Sequence, residues 1–199
     1  MIAVFDIETN GLFWEDSVLS FSCVILDDNM KIVEVIDKYY YPEESYNCEA
    51  ISINGLTRNV LKEKRTGVRY PRLFKNDKDI KKLFIDGSID LFIVYSIDFT
   101  MGFIAHHFNI NMGGKNYCVM RKVQFQYNAP YPYIFGEDFD NLNLEPKLPS
   151  FEEALEWAKV NTEKIHKKTG KSLHNSLFDA YCILELYKKL KKLEKIKKD

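Results

Sequence analysis

Two short runs of the sequence are apolar at every position, and they constrain the fold more than any other feature. Ile2 to Phe5 and Leu91 to Tyr95 present apolar side chains on both sides of an extended backbone. This is the pattern of a strand that is covered on both faces. Such strands lie at the centre of α/β sheets, with helices packed above and below them. The two runs therefore predict an α/β protein with a buried central sheet.

The segments around these runs predict the rest of the architecture. Val18 to Leu26 and Lys31 to Tyr41 are β-rich and are joined by a short polar turn, which favours an antiparallel hairpin. A last short strand is expected near Tyr117 to Val123. Helices are expected at 58–64, 79–84, 98–108, 150–160 and from 176 toward the C-terminus. The prediction is one domain, residues 1–199, with a mixed five-stranded sheet of three antiparallel and then two parallel strands.

The bulk composition limits the classes of function. The net charge of −1 excludes a polycation, so a nucleic-acid site would have to be local and helped by bound metal cations. No apolar run reaches the roughly 18 residues that span a membrane, and no basic region precedes the first run. We expect a cytoplasmic protein that does not enter a membrane. Cys23, Cys48, Cys118 and Cys182 lack metal-site spacing and are expected to be buried thiols in a reducing compartment.

Two carboxylates lie at the carboxyl end of the first strand. Asp6 and Glu8 are two residues apart, and the two-residue period of a strand places both side chains on one face. Carboxylates aimed the same way beside a core strand repel each other unless a cation neutralises them. Oxygen ligands suit Mg²⁺ or Mn²⁺. The ordinary alternative is a strand end at which both side chains are solvated.

A third carboxylate follows the second apolar strand. Asp98 comes just after Tyr95, where the next helix starts. Neighbouring parallel strands place their carboxyl ends side by side, so we expect Asp98 to approach Asp6. Asp is also a favoured residue at a helix N-terminus, and that structural role is the alternative.

The last helix supplies a fourth carboxylate and a histidine. Asp179 heads an apolar stripe that continues through Ile183, Leu186, Leu190 and Leu193. A carboxylate on an inward face needs a partner. His174 precedes it by five residues, and an imidazole suits a general base at neutral pH. A structural histidine ahead of a helix is the alternative.

Taken in order, these residues resemble the motifs of the DEDDh (DnaQ-like) 3′–5′ exonucleases. Residues 5–12 (FDIETNGL) resemble the first motif, Asp98 before Phe99 the second, and residues 174–180 (HNSLFDA) the third. The related polymerase-fused domains place a Tyr where Asn175 stands, so the histidine branch is favoured. Residues 50–57 (AISINGLT) are similar to a further family segment. The sequence departs from the family at residues 95–96, where Tyr-Ser replaces the usual His-Asn.

The resemblance implies an RNase H-like fold and a metal-dependent 3′–5′ exonuclease that releases 5′-mononucleotides, with a role in proofreading or repair. It implies two divalent cations, Mg²⁺ or Mn²⁺, held by Asp6, Glu8 and Asp179, with Asp98 contributing directly or through water. His174 would take the proton from the attacking water. The residues implied to hold the 3′ end are Thr9, Asn10, Gly11, Leu12 and Asn54.

Several alternatives stay open at this level. The substrate is DNA or RNA, so a 3′–5′ exoribonuclease of the same family is an alternative, as is a non-catalytic exonuclease-like domain that holds a partner. A polymerase partner and a homodimer are both compatible with the sequence. The lysine-rich segment 188–198 has two interpretations, a contact with backbone phosphates or a solvated helix face. The aromatic-rich segment 125–139 would stack on bases or cover the core.

Overall fold

The centre of the structure is a five-stranded mixed sheet. The structure is a computed structural model that describes residues 1–111, 115–127 and 146–196. The strands are β1 (Ile2–Thr9), β2 (Val18–Leu26), β3 (Ile32–Tyr39), β4 (Leu91–Val94) and β5 (Lys115–Cys118). Their order is β3-β2-β1-β4-β5. The pairs β1–β2 and β2–β3 are antiparallel, whereas β1–β4 and β4–β5 are parallel. The predicted architecture is confirmed.

Helices cover the two faces of this sheet. They are α1 (Cys48–Asn54), α2 (Arg58–Lys64), α3 (Lys78–Ile85), α4 (Ile97–Phe108), α5 (Val119–Tyr127), α6 (Phe151–Ala158), α7 (Thr162–Thr169) and α8 (Ser176–Ile196), with a 3₁₀ turn at Phe74–Asn76. The sequence pattern did not predict α1 and α7, because each is only about two turns long, and α7 is also largely polar. The helix α6 begins with the predicted capping box, in which Ser150 and Glu153 exchange side-chain and backbone hydrogen bonds.

The apolar runs of β1 and β4 contribute side chains to two separate core layers, one on each face of the sheet. Val4 and Ile93 pack into the layer that contains α5 to α8. Phe5 and Phe92 point the other way and pack with side chains of α3 and α4. The sheet is thus sandwiched between helices, as the fully apolar runs predicted. Because α8 lies across β1, the N-terminus of α8 comes to the carboxyl end of the central strand.

The strand predicted at Tyr117 to Val123 is wrong in its second half. The strand β5 ends at Cys118, and the chain turns directly into α5. Val119 and Val123 are buried four residues apart, which is a helical spacing, while Arg121 between them is exposed. The backbone N–H of Met120 donates to the Tyr95 carbonyl at 3.0 Å and ties the start of α5 to the end of β4. Most of the aromatic-rich segment and the last three residues lie outside the described residues.

Two compositional predictions can be compared with the structure. Cys23, Cys118 and Cys182 are buried free thiols, but Cys48 is exposed at the start of α1, so the prediction is wrong for that residue. The helix α1 has no buried residue, and both Cys48 and Glu49 in its first turn are exposed. Within the described ranges, no helix combines the length and the apolar character needed to cross a membrane.

Candidate active site

Three carboxylates meet where β1 ends and α8 begins. Asp6 and Glu8 project from the same face of β1, and Asp179 lies in the first turn of α8. One carboxylate oxygen from each lies within 4.8 Å of the others. Asp179 is only 5% exposed. The structure therefore brings together three of the four carboxylates that the sequence singled out.

Buried hydroxyl groups hold the first turn of α8 against the sheet. The Ser176 Oγ lies 2.8 Å from Ser20 Oγ and 2.7 Å from Ser22 Oγ, both on β2. Just before the helix, His174 adopts a left-handed backbone with φ of 61°, which turns the chain into α8. The Asp179 N–H donates to the Asn175 carbonyl at 2.9 Å in the first helical turn. These local contacts fix where Asp179 enters the cluster.

The cluster is electrostatically unfavourable as long as its carboxylates are ionised and unneutralised. Burial, followed by the charges of Asp6 and Glu8, raises the pKa of Asp179 to about 10. Burial also raises the pKa of Asp6 to about 7 and that of Glu8 well above its usual range, with Asp6 adding to the latter shift. A cation bound among the three carboxylates would favour their ionised forms and so oppose all three pKa shifts.

One carboxylate oxygen also lacks a hydrogen-bond partner. Among the described residues, the buried side-chain oxygens without a partner are Asp179 Oδ1 and Asn175 Oδ1. A buried unsatisfied oxygen costs about 1–3 kcal/mol, more when it is charged. Two oxygens that bind one Mg²⁺ at about 2.1 Å each lie no more than about 4.2 Å apart, close to the spacing in the cluster. Asp6, Glu8 and Asp179 therefore fit a divalent cation site.

Asp98 is not brought into this cluster. Its side chain is 72% exposed, and its Oδ2 lies 3.1 Å from Nη2 of Arg121 on α5. It occupies the second position of α4, and its side chain is open to solvent. The close group of carboxylates therefore contains Asp6, Glu8 and Asp179, and in this structure Asp98 pairs with Arg121 instead of approaching Asp6.

His174 stands at the rim of the carboxylate cluster. It lines a pocket of about 210 Å³ together with Asp6, Glu8 and Asp179. Its imidazole is 43% exposed, and its Nε2 lies 3.5 Å from Oε1 of Glu152 on α6. The structure thus places the predicted histidine beside the carboxylates, in a position open to solvent.

Sequence reasoning missed two residues of this pocket, Glu152 and Tyr95. Glu152 follows the capping residue Ser150 in the first turn of α6, and no family motif includes it. The only available signal was an extra carboxylate beside the capping-box Glu153. Tyr95 stands where the family pattern has a His, and its departure from that pattern marked the position without revealing the neighbouring segment that it contacts.

A second pocket, also of about 210 Å³, adjoins the first and holds most of the residues implied to bind the 3′ end. Its lining includes Thr9, Gly11, Leu12 and Asn54, and it shares Ile7, Glu8 and Phe99 with the carboxylate pocket. Leu12 is 79% exposed at its edge. The Nδ2 of Asn54 donates to the Thr9 carbonyl at 3.0 Å, so Asn54 supports the turn as well as lining the pocket.

Asn10 is the exception among these residues. It is 1% exposed, its Nδ2 donates to Glu44 at 2.6 Å and to the Ser45 carbonyl at 2.9 Å, and its Oδ1 accepts from Asn47 N at 3.0 Å. The structure gives its side chain a scaffolding position under the turn and does not bring it into the pocket.

Gly11 lies directly against the Asp16 carboxylate, so a side chain at this position would displace that carboxylate. A Cβ on Gly11 would lie 2.2 Å from Oδ2 of Asp16, and the same oxygen accepts a hydrogen bond from Phe13 N at 2.9 Å. The Asp16 carboxylate therefore closes the turn over Gly11. Leu12, the next residue of the turn, lies exposed at the mouth of the second pocket.

Comparison with solved structures supports this fold. The chain is similar to Exonuclease X in complex with 5′ overhanging duplex DNA, at 19% identity and a TM-score of 0.63, over 97% of this chain and 92% of that one. It is also similar to E. coli Exonuclease I in complex with a dT13 oligonucleotide, at 16% identity and a TM-score of 0.66, over 96% of this chain and 40% of that one. The Exonuclease I chain of an ExoI/SSB-Ct complex gives 16% identity, a TM-score of 0.62, and 96% and 41% coverage.

These likenesses define the fold class, which is the mixed five-stranded α/β fold that the chain shares with these exonucleases. The chain spans about two fifths of the length of the Exonuclease I chains that it matches. No protein-family model matches the sequence, and no curated protein matches it.

Proposed function

We propose that this protein is a metal-dependent 3′–5′ exonuclease. It would hydrolyse the terminal phosphodiester bond at the 3′ end of single-stranded DNA, or at a DNA 3′ terminus, and release a 5′-mononucleotide. The observation that carries the proposal is the cluster of Asp6, Glu8 and Asp179, whose oxygens lie within 4.8 Å of one another. The fold shared with Exonuclease X and Exonuclease I, whose structures hold DNA, supports the same conclusion.

The carboxylates would hold the metal. Asp6, Glu8 and Asp179 are the proposed ligands of two divalent cations, Mg²⁺ or Mn²⁺. When bound, such cations supply an activated water and neutralise charge on the leaving 3′ oxygen. Asp98 is proposed to contribute directly or through water, which would require its contact with Arg121 to break. Neutralised by cations, the three buried carboxylates would ionise at neutral pH.

His174 would act as the general base. Its imidazole accepts the proton of the attacking water, and the water oxygen forms the new bond to phosphorus as the bond to the 3′ oxygen breaks. The half-exposed position of His174 at the pocket rim leaves it able to pass that proton to solvent. The terminal nucleotide then leaves with its 5′ phosphate.

The adjoining pocket would receive the terminal nucleotide. Thr9, Gly11 and Leu12 of the turn line this pocket, and their backbone groups would meet the 3′ hydroxyl while the exposed Leu12 contacts the terminal base. An apolar contact with the terminal base would tolerate any base, which suits an enzyme that shortens strands irrespective of sequence. Within this proposal residues 1–199 act as one cytoplasmic exonuclease domain.

Purified protein incubated with Mn²⁺ and matched 3′-labelled DNA and RNA strands tests the proposal. We expect labelled mononucleotide from DNA, no release in excess EDTA, and no release by Asp179→Asn. Equal or faster release from RNA would assign the protein to the exoribonucleases. Absence of hydrolysis by the folded wild type on both strands would indicate a non-catalytic binding domain and refute the proposal.

A further inference from the structure

We propose that Glu152 is a positioning residue of this active site and acts through His174. The inference rests on the proposed exonuclease function and adds to the site a further carboxylate, from an element outside the three motifs. It concerns the first turn of α6, which sequence comparison with the family does not mark.

The contact between the two side chains is the primary observation. The Glu152 Oε1 lies 3.5 Å from His174 Nε2, and both side chains are about half exposed, at 52% and 43%. Both residues line the pocket that also contains Asp6 and Asp179. A carboxylate beside an imidazole restricts its orientation and stabilises the cation that forms when the imidazole accepts a proton.

Contacts of its own side chain and of the start of α6 position Glu152 beside His174. Its Oε2 accepts a hydrogen bond from Ser150 Oγ at 3.0 Å. The Tyr95 hydroxyl lies 2.8 Å from the Pro149 carbonyl and 2.7 Å from the Ser150 carbonyl, and the Tyr95 and Phe151 rings are 4.8 Å apart. Tyr95 thus braces the start of α6 against the end of β4, close to the carboxylate cluster.

The charge distribution favours a role through His174. The nearby cation Lys147 lies 2.6 Å from Glu153, so it neutralises the capping-box carboxylate and leaves Glu152 facing the pocket. Among the described residues, the close ligand cluster contains Asp6, Glu8 and Asp179 but not Glu152. Its immediate ionic partner in the pocket is the imidazole.

A double-mutant cycle tests the inference. Glu152→Gln removes the charge and keeps the size, and Glu156→Gln, on an exposed position one turn further along α6, is the matched control. We expect Glu152→Gln to lower kcat by about 10–100-fold, the usual effect of removing such a supporting carboxylate, with little change in KM, melting temperature or Mn²⁺ dependence. In a His174→Ala background it should cause no further loss, because residues that act as a unit are non-additive. Single-turnover reactions with excess enzyme keep the slow variants measurable.

Three results would overturn the inference. They are a wild-type kcat for Glu152→Gln, an equal loss for Glu156→Gln, and a loss by Glu152→Gln that persists unchanged in the His174→Ala background. The last result, with a raised Mn²⁺ requirement, would make Glu152 a metal-site residue independent of His174. Failure of the proposed function is separable, since it would appear as an inactive wild type before any variant is compared.

Discussion

Replacing Asp179 by Asn should stabilise the metal-free protein, and more so as the pH rises. The pKa of Asp179 is raised from 3.8 to about 10, chiefly by burial and then by Asp6 and Glu8. Its contribution to stability is therefore fully present below about pH 4 and is lost as the pH rises toward 10. At pH 7.5 the Asp179 carboxyl is ionised in the unfolded state. The 3.7 pH units between its ordinary pKa of 3.8 and pH 7.5, at about 1.4 kcal/mol each, set an upper limit of about 5 kcal/mol on the loss of folding stability. Because Asp6 and Glu8 share this repulsion, we expect on the order of 2 kcal/mol.

Urea unfolding in EDTA at pH 5.5 and pH 8.5 measures this effect. The free energy of unfolding of Asp179→Asn should exceed that of the wild type by an amount that grows between the two pH values. The matched control Glu156→Gln, which removes an exposed charge, should follow the wild type at both. Saturating Mn²⁺ should stabilise the wild type more than Asp179→Asn, by preferential binding to the folded state. A difference between wild type and Asp179→Asn that does not change with pH would refute the electrostatic account of the cluster.

Two further predictions concern the base and the anchoring of α8. His174→Ala should lose about 10²–10⁴-fold in kcat with little change in Mn²⁺ affinity, measured by single-turnover hydrolysis and metal titration; near-normal turnover at pH 7 would make the histidine structural. Ser176→Ala should lower the free energy of unfolding by about 1–3 kcal/mol, because it removes both hydrogen bonds to β2 and leaves the buried Ser20 hydroxyl without its side-chain partner, whereas Ser22 still donates to Asp37. The exposed Ser172→Ala is the control in urea unfolding, and equal stabilities of the two variants would contradict the anchoring argument.

The sheet was predictable because its signals are local and repeated. Apolar runs covered on both faces place β1 and β4 at the centre, and period two puts Asp6 and Glu8 on one face. The helical stripe headed by Asp179 predicted its inward position, which the structure confirms at 5% exposure. In each of these cases one element alone determines the direction of the side chain.

The remaining features depend on contacts between distant segments. The position of the Asp98 side chain depends on its contact with Arg121, which is 23 residues away. The contact of Glu152 with His174 depends on Tyr95 fixing the start of α6 through backbone carbonyls. Neither arrangement leaves a periodic pattern or a motif, so propensity and spacing could not reveal it.

The direction of degradation tests the central claim most directly. A linear single strand with a free 3′ hydroxyl, the same strand with a 3′ phosphate, and a circular strand of the same sequence are incubated with the protein and Mn²⁺. If the turn of Thr9 to Leu12 receives a 3′ terminus beside the carboxylates, label at the 3′ end should be released as mononucleotide at the first time points. The 3′ phosphate should block that release, and the circle should stay intact. Cleavage of the circle at a comparable rate, or full activity in excess EDTA, would contradict the account.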